Sequence, residues 1–178
     1  MSLRKIACSI LILIVPMLLV GCGAYNSPSI PPATGVARFA FVANAFSNSI
    51  SSFAVDPQTG QLNPKDAVVP TGGMNSRVMA VEPSGHFAYV GNIVSNDISV
   101  FAIDAKTGHL SMVGSPVPAG SGPRFIVVGP TGNILYAVNQ QSSNITGFSI
   151  NPSTGALTPL SGTVATDAAP VELRFHPS

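Results

Sequence analysis

The sequence predicts an all-β chain that builds about three four-stranded antiparallel blades of a β-propeller, and three observations carry that expectation. One sentence is written three times: "HFAYVGNIVSNDISVFAIDAKTGHL" over 86–110, "RFAFVANAFSNSISSFAVDPQTGQL" from Arg38, and "ILYAVNQQSSNITGFSINPSTGAL" from Ile134. The aligned columns of the copies, such as Asn44, Asn92 and Asn139 or Phe53, Phe101 and Phe148, lie 48 and then 47 residues apart, a period of propeller blades rather than of helical solenoids. No window carries a helical apolar period, and short runs bounded by Pro, Gly, Asn and Asp dominate.

Four strand-like runs fill one period, marked in the third copy at 124–129, 134–139, 144–151 and 156–161. In "ISVFAI" one face carries Ile98, Val100 and Ala102 and the other Ser99, Phe101 and Ile103. Both faces are largely apolar, so this strand is expected to be covered on both sides, as where blades pack face to face. The connections follow turn chemistry. In "DPQTG" Asp56 bonds the backbone ahead of it, Pro57 presets a turn angle and Gly60 takes the left-handed position. Asp104 and Asn151 repeat this logic, with metal binding by the Asp/Asn column as the weaker alternative. Pro83 to Gly85 and Pro130 to Gly132 are expected as hairpin turns.

The repeats occupy 38–85, 86–133 and 134–178. The first opens with a blade's second strand, 38–44, and the last ends with a first strand, 171–177, so pairing the two ends would complete one set. The smallest ordinary propellers have about four blades, and three wedges do not close a ring. Either the chain belongs to a longer reading frame, or partial propellers associate through open blade edges. Two copies would then give a six-bladed ring with end strands exchanged.

The first residues are expected to be an address. Arg4 and Lys5 precede an apolar run over 6–18, and Leu19-Val20-Gly21-Cys22 follows, resembling a bacterial lipobox. This makes 1–21 a lipoprotein signal peptide and Cys22 the lipidated first residue, with an uncleaved anchor as the alternative. The run is shorter than the roughly 20 residues that a spanning helix needs. Residues 22–37 then hold the anchor and a Pro/Ser/Gly-rich tether. Membrane contact through Cys22 and placement in the cell envelope, at the outer membrane or cell surface, follow as expectations. Loss of 1–21 leaves six basic against seven acidic residues and no disulfide pair, so no nucleic-acid surface is expected.

The sentence in its three versions, together with "GSGPRFIVVGPTGNILYAVNQ" over 120–140, resembles the seven-bladed β-propeller lactonases, the 6-phosphogluconolactonase-like enzymes and their exported paralogues. The likeness covers 38–178 and extends in part to surface-layer repeats of the "YVTN" type. In that family "GPRH" opens an innermost strand and "NE" ends the next. The resemblance implies that Arg, His and Glu converge on a channel and activate water against a sugar lactone. Here Gly122, Pro123 and Arg124 match, but the His position is Phe125 and Asn139 is followed by Gln140.

Arg124 and its repeat partner Arg77, with Gln140, are therefore the candidate ligand contacts, and no catalytic residue is assigned. An arginine suits an anionic sugar or lactone bidentately. Its alternative use is an ion pair or carbonyl bond between blades. His86, His109 and His176 are expected to be exposed structural residues, and neither metal nor cofactor is expected. The function expected is a non-catalytic binding or interaction module, or a truncated family member. A lactone hydrolase and a surface-layer structural repeat are the alternatives.

Overall fold

A computed structural model of the chain describes residues 38–65 and 68–176, all within the unit Ala33–Ser178. The expected signal peptide 1–21 and the segment 22–37 with Cys22 lie outside the described residues. No helix among the described residues is long and apolar enough to cross a membrane.

Three antiparallel sheets follow one another along the chain. The first has β1 (Phe39–Asn44), β2 (Ser49–Val55), β3 (Leu62–Pro64) and β4 (Val69–Pro70), with β3 and β4 both paired to β2. The second has β5 (Ser76–Val81), β6 (Phe87–Asn92), β7 (Asp97–Ile103), β8 (Leu110–Met112) and β9 (Val117–Pro118), and here β8 and β9 both pair with β7. The third is the simple order β10 (Pro123–Val128), β11 (Ile134–Asn139), β12 (Asn144–Ile150) and β13 (Leu157–Ala165). Each sheet is a propeller blade, its outermost strand written in two pieces in the first two blades. The sequence repeats run one strand out of phase with the blades, because each repeat ends on the innermost strand of the blade that follows.

The expected end strand is a correction. Residues 171–176 have no sheet partner among the described residues. A strand needs a neighbouring ladder, and among the described residues β1 likewise pairs only with β2. Phe175 nonetheless packs on Tyr136, with ring centroids 6.0 Å apart.

The apolar pattern of the central strands explains where the core lies. Every residue of β6 is buried. Alternation then sends Phe87 and Tyr89, with Ile98 and Val100 of β7, into one cluster with Ile126, Leu135 and Phe148 of the third blade. It sends Ala88, Val90 and Phe101 into a second cluster with Ile50 and Phe41 of the first blade. Both faces of "ISVFAI" are covered, as its composition requires. Each buried aromatic or branched side chain contributes about 1.5–3 kcal/mol of transfer free energy, so most stabilisation sits between blades rather than within them.

The turns lock into these junctions. Asp56 Oδ1 accepts from the Gln58 and Thr59 amides at 2.8 and 2.9 Å, and Asp104 and Asn151 do the same in their turns. Those backbone bonds, from Thr59 first and then Gln58, hold the Asp56 carboxyl below its ordinary range. Gly60, Gly108 and Gly155 take positive φ of 72°, 70° and 72°. A Cβ on Gly108 would collide with the ring of Phe39, and one on Gly155 with the ring of Phe87. The glycine thus serves twice, for the turn and for an aromatic ring of the preceding blade. Tyr89 Oη adds a hydrogen bond to the Gly155 carbonyl at 3.1 Å. Burial, and then the charge of Glu82, push the Tyr89 hydroxyl well above its ordinary range, so it remains a donor.

Glu82 caps the hairpin turn between β5 and β6 and is 7% exposed. Its carboxylate accepts from the Ser84, His86 and Phe87 amides and from the Ser84 hydroxyl. Burial pushes the carboxyl up, but these hydrogen bonds outweigh it and hold Glu82 below the ordinary value of 4.5.

Two outcomes follow, both measurable by urea or thermal unfolding. Gly155→Ala is expected to cost about 2–5 kcal/mol, from left-handed strain plus the clash with Phe87, whereas Gly60→Ala costs only the strain of about 1–2 kcal/mol. Equal costs would show that the ring-to-glycine contact adds nothing. Because the folded pKa of Glu82 is depressed, its contribution is complete above about pH 4.5 and is lost as pH falls through the folded value. The stability gap between wild type and Glu82→Gln should therefore hold near neutral pH and narrow as the pH falls through about 4.5 and below; a constant gap would refute the assignment.

Candidate functional site

The innermost strands β5 and β10 lie side by side, and each begins with the same device. A residue in the left-handed region, Asn75 at φ 59° or Gly122 at φ 65°, precedes Ser76 or Pro123. The β5–β6 ladder then shifts register between Ser76 and Val78, and the β10–β11 ladder between Pro123 and Phe125. Arg77 and Arg124 are the extra residues of these two bulges. A bulge leaves its residue unpaired and re-aims its side chain, and both arginines are exposed.

The entry into each bulge is held from the blade before. Asn48 Oδ1 accepts from the Asn75 amide at 2.6 Å, and Asn96 Oδ1 accepts from the Gly122 amide at 2.8 Å. Asn48 and Asn96 are themselves left-handed, at φ 50° and 61°, a conformation that asparagine tolerates. The loops of blades one and two therefore set the positions of Arg77 and Arg124. The sequence reading missed these two asparagines; the "SN" that precedes β2 and again β7 was the signal.

Beneath the bulges lies the repeated Asn column. Asn92 is fully buried and donates from Nδ2 to Asp97 Oδ1 at 2.7 Å and Ser99 Oγ at 2.8 Å, while its Oδ1 accepts from Ser76 Oγ at 2.6 Å. Ser76 Oγ also lies 2.6 Å from Thr71 Oγ1, and Ser99 Oγ donates to the Thr71 carbonyl. In the third blade Asn139 keeps both donated bonds, to Asn144 and Thr146. Its buried Oδ1 has no partner among the described residues, because Pro123 stands where Ser76 offers a hydroxyl.

The alternative use of the arginines, an ion pair or carbonyl bond between blades, is not found among the described residues. The single ion pair there joins Arg174 to Glu172 at 2.8 Å. Gln140, half-buried, opens the turn after β11, and its amide donates to the Gly122 carbonyl at 2.9 Å. It therefore lies at the same end of the third blade as Arg124. The blade-two counterpart is Ile93, so only the third blade places an amide side chain there. A cavity of about 60 Å³ between blades one and two is lined by Lys65, His109 and Leu110 among others and includes neither arginine.

Residues 33–122 and 80–172 match the family model described as lactonase, seven-bladed β-propeller. The chain belongs to the seven-bladed β-propeller lactonase family. No curated protein matches this lactonase-family chain. Among solved structures it is similar to the periplasmic gluconolactonase of Pseudomonas aeruginosa, with 25% identity and a TM-score of 0.67 over 77% of this chain and 39% of that one. A protein of Lactobacillus plantarum is 29% identical, with a TM-score of 0.65 over 74% of this chain and 40% of that one. A protein of Bacteroides uniformis, described provisionally as a 6-phosphogluconolactonase, is 25% identical, with a TM-score of 0.69 over 75% and 39%. The chain thus spans about two fifths of the length of these structures.

At the positions that the resemblance assigns to His and Glu, this lactonase-family chain carries the half-buried Phe125 and Gln140. Neither side chain takes a proton at neutral pH. His86, His109 and His176 are all exposed. His86 Nδ1 lies 2.9 Å from Ser84 Oγ within the Glu82 turn. Thr131 and Asn133 make the same closure in the third blade, so this Ser–His–Glu grouping is turn chemistry. No group of three or more metal-ligating side chains occurs among the described residues.

The Asn92 network yields a test of how the arginine loops are held. Ser76→Ala leaves the buried Asn92 Oδ1 without its donor, while the Thr71 hydroxyl keeps the Asn48 carbonyl at 3.0 Å, and is expected to cost about 1–3 kcal/mol in chemical unfolding. A neutral substitution would mean that this network does not position the bulge.

Proposed function

We propose that this chain is an exported, lipid-anchored binding module of the lactonase-like propeller family. It holds an anionic sugar or lactone at Arg77 and Arg124 without hydrolysing it. The observation that carries this reading is a pair of exposed arginines at matching bulges of adjacent innermost strands, with no ion pair or side-chain hydrogen bond among the described residues. Two guanidinium groups on neighbouring strands suit a carboxylate or phosphate. Attack of water on a lactone needs a base, and Phe125 and Gln140 stand at the positions where the family resemblance calls for His and Glu.

The lipid anchor rests on Leu19-Val20-Gly21-Cys22 after the basic and apolar segments, and it places the blades in the cell envelope, at the outer membrane or cell surface. The catalytic alternative is favoured by the gluconolactonase of Pseudomonas aeruginosa among the similar structures. It requires a base from outside the positions matched here.

Titration calorimetry with 6-phosphogluconate, beside an assay of 6-phosphogluconolactone hydrolysis, separates these readings. Binding that weakens about tenfold in Arg124→Ala or Arg77→Ala, the loss of about 1.4 kcal/mol, with hydrolysis at the buffer rate, supports a binding module. Hydrolysis above the buffer rate that disappears in Arg124→Ala overturns it. For the anchor, metabolic labelling with palmitate is expected to mark the wild type and not Cys22→Ala; an unlabelled wild type removes that part of the reading.

A further inference from the structure

The junction between blades one and two and the junction between blades two and three are copies of one interface, yet at three matched positions they differ in kind. Shared hydrogen bonds fix the match. The Lys65 amide donates to the Ser52 carbonyl as the Val113 amide does to the Val100 carbonyl. The Asp104 amide donates to the His109 carbonyl as the Asn151 amide does to the Ala156 carbonyl. The second junction therefore carries Val100, Val113 and Ala156 where the first carries Ser52, Lys65 and His109. The positions around them keep their type: Val69 matches Val117, Thr107 matches Thr154, and Leu110 matches Leu157.

The two sets of residues use their space differently. At the second junction Val113 and Val117 pack on the cluster that holds Val100 and Leu157. At the first, Ser52, Lys65, Thr107 and His109 line a cavity of about 60 Å³, together with Val69 and Leu110. The turn does not force this replacement, since Gly108 keeps its positive φ and stands against the Phe39 ring as Gly155 stands against Phe87. Polar groups in a junction are costly unless they bond to something. Three of them around one cavity, where the fold accepts valine and alanine, point to an occupant.

The surroundings are cationic. Lys65 Nζ stands 5.6 Å from the centroid of the Phe39 ring, and the Arg38 guanidinium 5.7 Å from the same centroid. Arg38 reaches across the junction to donate to the Ala105 carbonyl at 3.3 Å, next in sequence to Lys106. None of these three cations is in an ion pair among the described residues. The carboxylates of the two turns, Asp56 and Asp104, accept from their own turn amides and do not line the cavity. The lining thus offers an ammonium, two hydroxyls and an imidazole, all able to donate. A lysine ammonium is a compact point charge suited to phosphate. The volume is well below the roughly 300 Å³ at which small-molecule pockets begin, so the occupant is a small oxyanion group rather than a sugar ring.

We propose that the cavity between blades one and two is an anion site that takes a phosphate group, as the free ion or as the terminal phosphate of an ester. Lys65 supplies the charge, and Ser52, Thr107 and His109 supply hydrogen bonds. Arg38, on the same aromatic ring as Lys65, adds to the positive potential. The site lies at the opposite end of blade two from Arg77 and includes neither Arg77 nor Arg124. The inference therefore goes beyond the binding role of those arginines and does not rest on it.

The test is the NMR ring signals of the three histidines in the purified 178-residue chain, held in neutral detergent at constant pH and ionic strength. The chain is titrated with inorganic phosphate and, separately, with glycerol 3-phosphate, against sodium chloride as the reference. His109 is expected to shift saturably, with half-saturation at or below about 10 mM, while His86 and His176 do not. Lys65→Val installs the residue type of Val113 and is expected to weaken binding at least about tenfold with unchanged β circular dichroism. If that variant loses its β spectrum, Lys65→Gln replaces it. Arg124→Ala is expected to leave the His109 response intact. Tighter binding of inorganic phosphate assigns the free ion and tighter binding of glycerol 3-phosphate an ester, and either supports the site. No saturable shift of His109 with either probe overturns the proposal. A response that keeps full affinity in the Lys65 variant reports an adventitious ion only and also overturns it. A response lost in Arg124→Ala overturns it by moving the phosphate to the bulges.

Discussion

Everything in this structure depends on one contact between neighbouring blades: an aromatic ring of one blade occupying the space that a left-handed glycine of the next leaves empty. A four-stranded blade is too thin to bury two apolar faces by itself. Burial is achieved only by stacking, as in other repeat architectures whose units contact their neighbours. The contrast within the chain makes this plain. The second strand of the middle blade is buried along its whole length, while the same strand in the first blade is only partly covered. Identical sequence patterns therefore have different burial according to position in the stack alone.

The candidate site inherits this dependence. Arg77 and Arg124 stand on bulges whose entry is fixed by Asn48 and Asn96, residues of the preceding blade. A single blade would present an arginine on a loose strand start. Two stacked blades present it on a loop tied from both sides, with the buried Asn92 network beneath. Stacking thus links stability to the proposed recognition, because weakening a junction loosens the loop that aims the arginine. The same geometry limits the chemistry. The bulges offer cationic donors, while Phe125 and Gln140 supply neither base nor acid at the two positions that the family resemblance names.

Much of the fold was legible in the sequence for a physical reason: the repeated columns are residues that one conformation or one cavity demands. Asp56, Gly60 and their copies are needed by a turn, and Phe101 and Phe148 by a junction, so the periodicity reported the blades directly. The expectation that "ISVFAI" is covered on both faces rested on composition and agrees with the burial found. The strand expected over 171–177 failed because a strand is a relation between two segments, and alternation within one segment cannot show whether a partner lies beside it. The candidate site was legible only as residue types. That the arginines occupy bulges, and that Asn48 and Asn96 hold them, depends on register and on contacts about one half-period apart, which no local pattern encodes. Pro123 shows the same limit, since its effect falls on Asn139, sixteen positions away.

If stacking governs this chain, protection against amide hydrogen exchange must follow position in the stack rather than sequence. Exchange measured on the dilute chain tests this most directly, because β1–β2, β6–β7 and β11–β12 have near-equivalent sequences and ladders. The account predicts slowest exchange in β6 and β7, where both faces are covered, and faster exchange in the equivalent strands of the outer blades. Equal protection across the three blades in the dilute chain, or strongest protection in the first, would contradict it.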